Sequence, residues 1–193
     1  MAKNYAIFDT LAHPTINGNW INSSKGDTFE SFSKKISKYN IKGACAVGLP
    51  KVGNYSHEKF YNQSIKYNNI YPVGALTNNN LAKIVDEISL MHTIGFRAIK
   101  IHPRLLNHEF NADELSKIFF HCHSLNIVVF YCTYYFTKLQ SFPKKDPYWV
   151  LINSLKNSPE VKIVLLHGGG VRILEYAELC RFNDNMLLDV SFT

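Results

Sequence analysis

The fold is decided by residues 95–103, which read Gly-Phe-Arg-Ala-Ile-Lys-Ile-His-Pro. Gly95 follows a stretch with helical apolar spacing, and glycine is the usual residue just after a helix C-terminus. The short apolar run at residues 98–101 then gives way to the polar side chains of Lys100 and His102. A buried parallel strand is apolar along its length and presents chemical groups where its carboxyl end emerges. The stretch therefore predicts a helix, a buried strand and a site at the end of that strand.

The same pattern occurs at two other places in the chain. Residues 161–166 are apolar and are followed by His167 and three glycines. Near the N-terminus, the apolar residues 5–8 are followed by Asp9, and His13 comes four positions later. Because the carboxyl ends of parallel strands meet at one edge of a sheet, three strands that end close to a histidine predict one shared site.

Seven apolar strands alternate with amphipathic helices along the whole chain. The strands are predicted at residues 5–8, 43–47, 71–76, 98–101, 127–131, 161–166 and 186–190. No tract between them has the composition of a linker, so the alternation predicts one domain over residues 1–193, with parallel strands and outer helices. A doubly wound nucleotide-binding sheet would carry a glycine-rich loop after its first strand, where this chain has Asp-Thr-Leu-Ala-His. We therefore predict an α/β fold of the TIM-type (β/α)-barrel class, truncated after the seventh strand and lacking the eighth βα unit.

Capping residues predict where three of the helices begin. Asp27 with Glu30, and Asn111 with Glu114, have the spacing of a capping box, in which two side chains satisfy the first backbone N–H groups. Asp146 precedes a proline, which is favoured at the first helical position. Each of these helices follows a predicted strand and leads to the next one.

Composition limits the classes of partner. The chain has 193 residues, of which 46% are hydrophobic, and a formal net charge of +6. Its lysines are scattered rather than clustered, so we expect no nucleic-acid partner and interpret the positive charge as suited to a small anionic substrate. No apolar run reaches the ~20 residues of a membrane helix and no signal peptide opens the sequence, which predicts a cytoplasmic protein with no membrane partner.

Several segments, in the right order, resemble the amidohydrolase-related (amidohydrolase 2) family of metal-dependent TIM-barrel hydrolases. Residues 9–13 resemble the D-x-H-x-H motif that follows strand one of the family. Residues 95–103 resemble its strand-four segment, and residues 159–169 its strand-six segment. Residues 47–50, followed by Tyr67 and residues 73–75, resemble the region of its second and third strands. The resemblance spans almost the whole chain.

The resemblance implies a divalent metal, zinc in the family, that lowers the pKa of a bound water and polarises the substrate carbonyl. It implies His13 and His167 as metal ligands, and Asp9, Lys100 and His102 as further catalytic residues. The implied reaction is hydrolysis of a C–N or lactone bond, or a related decarboxylation, in a small-molecule substrate.

The chain departs from the family pattern at three places. Leu11 stands where the first histidine of the motif belongs, Cys132 aligns with the strand-five histidine, and the strand-eight aspartate is absent. These departures predict that zinc is bound weakly or not at all. They leave open an active enzyme, a catalytically degenerate barrel that only binds a ligand, and a fragment of a longer amidohydrolase.

The individual site residues also have structural interpretations. A histidine at a strand end, such as His102, is often an ordinary hydrogen-bonded residue. Lys100 is compatible with a carbamylated metal bridge, an anion contact or a stem that fills the barrel. Cys132 is interpreted either as a soft metal ligand or as a buried, inert thiol. Asp189, at the end of the seventh strand, either faces the site or has a capping role.

The open side of a seven-stranded barrel predicts self-association. The first and last strands would carry unpaired backbone groups, and the gap between them would expose apolar side chains. We therefore expect a homo-oligomer in which a second chain, or an element that replaces the eighth strand, covers the gap.

Overall fold

In the part of the chain that the structure describes, seven parallel strands form one sheet in which every strand lies beside its neighbours in the chain. The computed structural model describes residues 6–21, 23–134 and 145–191. The strands are β1 (Ile7–Ala12), β2 (Ile41–Val47), β3 (Ile70–Ala75), β4 (Ala98–Ile101), β5 (Val128–Cys132), β6 (Ile163–Leu166) and β7 (Met186–Leu188). A doubly wound sheet reverses its strand order at a switch point, whereas the order here runs from β1 to β7 without reversal. The predicted fold is therefore confirmed as an incomplete, seven-stranded (β/α)-barrel.

Helices alternate with the strands in the described part of the chain. They are α1 (Phe29–Lys38), α2 (His57–Ser64), α3 (Leu81–Ile94), α4 (Pro103–Leu106), α5 (Ala112–Ser124), α6 (Pro147–Lys156) and α7 (Ile173–Arg181). The apolar stripe of α3 is buried at Ile84, Ile88 and Met91, as its helical spacing predicts. The helix ends at Gly95, whose φ of 124° favours glycine. The chain enters β4 three residues after this helix end.

Alternate side chains of the strands in the middle of the sheet face two different apolar layers. On β5, Val129 and Tyr131 pack into the main core beneath the helices. Phe130, between them, belongs to a smaller cluster that lines the inside of the curled sheet. This inner cluster consists of Val47, Val73, Phe130, Val164 and Leu166. The period of two along the strands therefore fills the barrel interior with side chains and leaves the strand ends for polar groups.

β1 is longer than the sequence predicts because it contains a bulge. Asp9 pairs with Ala44 and Ala12 pairs with Ala46, so three steps on β1 match two steps on β2. The Asp9 carboxylate accepts the backbone N–H of Leu11 at 3.0 Å within the bulge. Residues 9–12, which were predicted to follow the first strand, are therefore part of it, and the strand ends one residue before His13.

Two of the three predicted helix starts are confirmed, and the first is wrong. Asn111 with Glu114 forms the capping box of α5, and Asp146 caps α6. At α1 the cap is Thr28, with Ser31 as its reciprocal partner. Asp27 instead accepts hydrogen bonds from the side chains of Ser31 and Lys35. The short helix α4 was not predicted; it begins because Pro103 takes the first helical position.

Within the described residues, β1 pairs only with β2, and β7 pairs only with β6. Large apolar side chains are exposed on both of these edge strands. They are Ile7 and Phe8 on β1 and Leu187 on β7. None of the helices in the described ranges combines the length and the hydropathy needed to span a bilayer.

Candidate functional site

The carboxyl ends of β1, β4, β5 and β6 bring polar side chains from distant parts of the sequence together. Four of the five predicted site residues are in this group, which Cys132 joins at the end of β5. The four are His13, Lys100, His102 and His167, and the charge on Lys100 influences all three histidines. The predicted shared site at one edge of the sheet therefore has a geometric basis, and the roles of its members stay predictions.

His13 is held in a single orientation by the backbone of β2. Its Nδ1 lies 2.6 Å from the carbonyl oxygen of Val47, and because a carbonyl only accepts, Nδ1 carries the proton. The Nε2 lone pair then faces Nζ of Lys100 at 3.5 Å. Burial, followed by the charge of Lys100, lowers the pKa of His13 to about 3. The ring of Trp20 lies over this imidazole at a centroid distance of 5.6 Å.

Lys100 is the buried cation of the site. The Lys100 residue is 1% exposed, and its Nζ donates a hydrogen bond to Nε2 of His13. Burial, with the charge of Arg104, lowers the pKa of the ammonium to about 8, while the carboxylate of Asp189 acts in the opposite direction. The group is therefore mostly charged at neutral pH, and it loses its charge only as the pH rises through about 8.

Both ring nitrogens of His102 are engaged by neighbouring groups. Nδ1 accepts the backbone N–H of Leu105 at 3.4 Å, so the side chain caps α4. Nε2 therefore carries the proton of the neutral ring and donates to Sγ of Cys132 at 3.8 Å. Burial and the charges of Lys100 and Arg104 lower the pKa of His102 to about 2. This geometry suits a neutral residue that joins the ends of β4 and β5.

His167 is tied to Asp189 through a serine. The Asp189 carboxylate accepts the hydroxyl hydrogen of Ser191 at 2.5 Å, so Ser191 Oγ accepts the Nδ1–H of His167 at 2.9 Å. The backbone N–H of His167 also donates to Asp189, at 3.2 Å. Burial, followed by the charge of Lys100, lowers the pKa of His167. The chain of bonds leaves the proton on Nδ1 and the lone pair on Nε2.

The segment after β6 has a backbone shape that holds His167 in place. His167 has a φ of 66°, a left-handed conformation that is uncommon outside glycine, and the next three glycines also have positive φ. A side chain at Gly169 would lie 2.2 Å from the ring of Tyr176. The hydroxyl of Thr133 accepts the N–H of Gly169 at 2.8 Å and donates to the carbonyl of Leu166. Packing and hydrogen bonds therefore hold the strained turn.

Asp9, the fifth predicted site residue, lies inside β1, whereas the other four lie at or near the carboxyl ends of their strands. Its described contacts are with the backbone of Leu11 and, through charge, with the thiol of Cys45, whose pKa burial and Asp9 raise to about 11. The side chain therefore supports the bulge in β1. Its predicted catalytic role is not supported by a contact with His13 or Lys100 among the described residues.

Three residues at this edge were not singled out by the sequence analysis. Arg104 lies on α4, with its guanidinium carbon 4.8 Å from the ring centre of Tyr134, and its charge lowers the pKa of His102. Ser191 and Thr133 connect His167 and the glycine turn to β7 and β5. Arg104 could have been predicted as a site residue, because it is an arginine two residues after a histidine at a strand end. Ser191 and Thr133 could not, because a serine or threonine in a loop is too common to indicate a site.

The donor set does not fit a resident divalent metal. No three histidine, cysteine, aspartate or glutamate side chains converge on one point within the described residues. Leu11 packs against the inner cluster, and the lone pair of His13 faces an ammonium group. Cys132 already accepts a hydrogen bond from His102. A zinc site needs three or four protein ligands in one shell, and these side chains are committed to other contacts.

Comparisons with solved structures give the fold an independent basis. An uncharacterised TIM-barrel protein from Bordetella bronchiseptica superimposes with a TM-score of 0.79 at 15% identity, covering 97% of this chain and 76% of that one. The chain has the TIM-barrel fold. The same barrel occurs in a candidate 2-pyrone-4,6-dicarboxylic acid hydrolase from Acinetobacter baumannii, with citric acid bound, at a TM-score of 0.61 and 16% identity. That match covers 97% of this chain and 70% of the hydrolase.

A candidate amidohydrolase from Staphylococcus aureus has a similar relationship to this TIM-barrel chain. Its TM-score is 0.60 at 14% identity, with coverage of 97% of this chain and 76% of that protein. No family model matches the sequence, and no curated protein matches it either. At such identities the likeness concerns the fold, so the function has to be argued from the site.

Proposed function

We propose that this TIM-barrel chain is a hydrolase of the amidohydrolase type, which cleaves a lactone or C–N bond in a small anionic substrate. The observation that carries the proposal is the hydrogen-bonded series Asp189–Ser191–His167 beside the buried ammonium of Lys100. It combines a candidate base with a candidate cation at the edge of the barrel where enzymes of this fold have their sites.

The charges of the site favour an anionic substrate. Lys100 and Arg104 are cations, and the pKa values of all three histidines are lowered, so at neutral pH the imidazoles are neutral. The Asp189 carboxylate already accepts hydrogen bonds from the Ser191 hydroxyl and from the backbone N–H of His167. A carboxylate that enters the site would meet a cation in surroundings of low dielectric, where the attraction is strong. The Acinetobacter structure contains citric acid, which belongs to this chemical class.

His167 is assigned the role of general base. Its lowered pKa keeps the ring neutral at pH 7, and Ser191 holds the proton on Nδ1. Nε2 would take a proton from water as the water oxygen attacks the substrate carbonyl. The ammonium of Lys100 would stabilise the oxyanion that forms, and the proton on Nε2 would pass to the departing oxygen or nitrogen.

The experiment that tests the proposal is a turnover assay with a panel of small substrates. The panel pairs dicarboxylate lactones and cyclic amides with their uncharged esters, and product formation is followed by NMR. We expect the carboxylates to be hydrolysed and the esters to react poorly. Lys100→Met should lower kcat/KM for the carboxylates, because it removes the cation that stabilises the oxyanion, whereas Lys83→Met, at an exposed position on α3, should not. Failure of every carboxylate to react would contradict the proposal.

A second candidate function is ligand binding without turnover. It is favoured by His102, whose two ring nitrogens are both engaged in structural hydrogen bonds. In that case calorimetry would detect binding of a small carboxylate to the site, while the same compound would remain unchanged by NMR after long incubation.

The open sides of the barrel support a homo-oligomeric assembly. β1 and β7 are edge strands in the described part of the chain, and Phe8 and Leu187 are 48% and 64% exposed on them. Unpaired strand edges with apolar side chains favour association with another chain. We propose that a second copy covers this gap.

A further inference from the structure

We propose that the ammonium of Lys100 occupies the place, in front of His13, that a resident divalent cation takes in metal-dependent hydrolases. This inference rests on the proposed function, because it names the group that would replace the metal in that reaction. The chain itself would then supply the cation of the site, and the chemistry would require no zinc.

The orientation of His13 is the first observation. A histidine that binds metal typically donates its other ring N–H to a carbonyl or carboxylate, which fixes the tautomer and aims the lone pair at the ion. His13 donates Nδ1–H to the carbonyl of Val47 at 2.6 Å. It therefore has the orientation of a metal ligand, with Nε2 as the donor atom.

The group that faces Nε2 is the second observation. It is Nζ of Lys100, at 3.5 Å, on a side chain that is buried against the inside of the barrel. An ammonium group offers three hydrogens and has no lone pair to give to a metal. It fills the space in front of the donor atom and satisfies the lone pair by hydrogen bonding.

The surrounding side chains give the third observation. Leu11, two residues before His13, belongs to the apolar surroundings of the inner cluster instead of offering a second imidazole. Lys100 and Arg104 are both positive, and Asp189 is the carboxylate that acts on Lys100. A divalent ion would add two further charges next to an ammonium, which opposes its binding.

This replacement has a chemical consequence. A zinc ion provides both a Lewis acid and a hydroxide, because it lowers the pKa of its bound water. An ammonium provides one positive charge that stabilises an oxyanion, but it does not generate hydroxide. Removal of the proton from water would therefore depend on His167, in agreement with its hydrogen bonds to Ser191 and Asp189.

The test is to measure zinc binding in four proteins after chelation and dialysis. They are the wild type, Leu11→His, the double variant Leu11→His with Lys100→Met, and a control with Leu11→His and Lys83→Met. Calorimetry and elemental analysis give the stoichiometry, and circular dichroism checks the fold. We expect the variant with Leu11→His and Lys100→Met to bind zinc more tightly than the other three proteins, because only this variant gains a ligand and loses the ammonium. Zinc should also raise the melting temperature of this variant the most.

Three outcomes would overturn the inference. The first is about one zinc per chain in the wild type that disappears in His13→Ala. The second is zinc binding by Leu11→His that equals binding by the double variant, because the ammonium would then not obstruct the ion. The third is a folded double variant that binds zinc no more tightly than the wild type. If the variant with Leu11→His and Lys100→Met does not fold, the measurement of zinc binding by the wild type still tests the inference. Because none of these readouts uses activity, a wild type without zinc and without turnover would reject the proposed function and leave this inference standing.

Discussion

Asp189 accepts the backbone N–H of His167 at 3.2 Å, and Ser191 joins the same carboxylate to the imidazole. The contact connects the end of β6 to the end of β7. It holds His167 in its left-handed conformation, with φ at 66°. Because both the backbone and the side chain of His167 bond to this unit, the position of the imidazole depends on β7 as much as on its own strand.

Replacing His167 by alanine should preserve the fold and weaken ligand binding without abolishing it. The variant loses the side-chain hydrogen bond to Ser191, which costs about 1 kcal/mol, but it keeps the backbone bond to Asp189. For a chain of this size we expect the melting temperature to fall by roughly 2–4 °C. Citrate is the probe: it should raise the melting temperature of the wild type and raise that of His167→Ala by less.

Gly169→Ala is the matched comparison for that variant. Its new Cβ would lie 2.2 Å from the Tyr176 ring, at a φ of 69° that alanine disfavours. It should therefore lower the melting temperature more than His167→Ala. If His167→Ala is the more damaging of the two, the histidine is a structural residue and its assignment as a site residue fails.

Acid should destabilise the protein between about pH 6.5 and pH 3. The pKa of His13 is about 3 and that of His102 about 2 in the folded chain, whereas both are near 6.5 in the unfolded chain. In this window the unfolded state binds more protons, so stability falls as the pH falls, by about 1.4 kcal/mol per pH unit for each histidine. Denaturant unfolding at a series of pH values measures the slope.

The control for the acid slope is a pair of glutamine variants. His102→Gln should reduce the slope, because it removes one buried imidazole. His123→Gln, at an exposed position on α5, should leave it unchanged. Equal slopes in the two variants would show that the buried histidines do not govern acid unfolding.

Much of this arrangement could be predicted from the sequence. Apolar strands that end in His102 and His167 indicate a barrel edge, because strand periodicity and strand ends depend on local residue order. The bulge in β1 was not predictable, since it depends on how Asp9 and Ala12 register against β2. The partner of His13 was not predictable either, because Lys100 is 87 residues away and nothing local marks the pair.

Glu87→Gln should weaken the packing of α3 against the end of β3. The buried carboxylate accepts hydrogen bonds from His57 Nε2 at 2.9 Å, from Thr77 N at 2.9 Å and from Asn78 N at 3.2 Å. Burial opposes its ionisation, but these bonds outweigh burial and lower its pKa. An amide would replace one acceptor oxygen by a donor, so we expect a loss of about 1–3 kcal/mol in the free energy of unfolding. Glu58→Gln, at an exposed position on α2, is the control and should change little.

The exposed edges of β1 and β7 predict a molecule larger than one chain in solution. Light scattering should give a mass of at least twice 22.1 kDa. Substituting Phe8 and Leu187 by aspartate should shift the mass toward the monomer, because buried charges without partners oppose association. A monodisperse wild-type monomer with an uncovered gap would contradict the proposed assembly.

The most direct test of the central claim compares hydrolysis by chelator-treated wild type and by His167→Ala. The substrate is the best carboxylate lactone from the panel, and circular dichroism confirms that both proteins are folded. We predict that the wild type remains active without metal and that His167→Ala is slower by a factor of about 10²–10⁴, the usual contribution of a general base. Equal rates in the two proteins, or activity that returns only when zinc is added, would contradict the account.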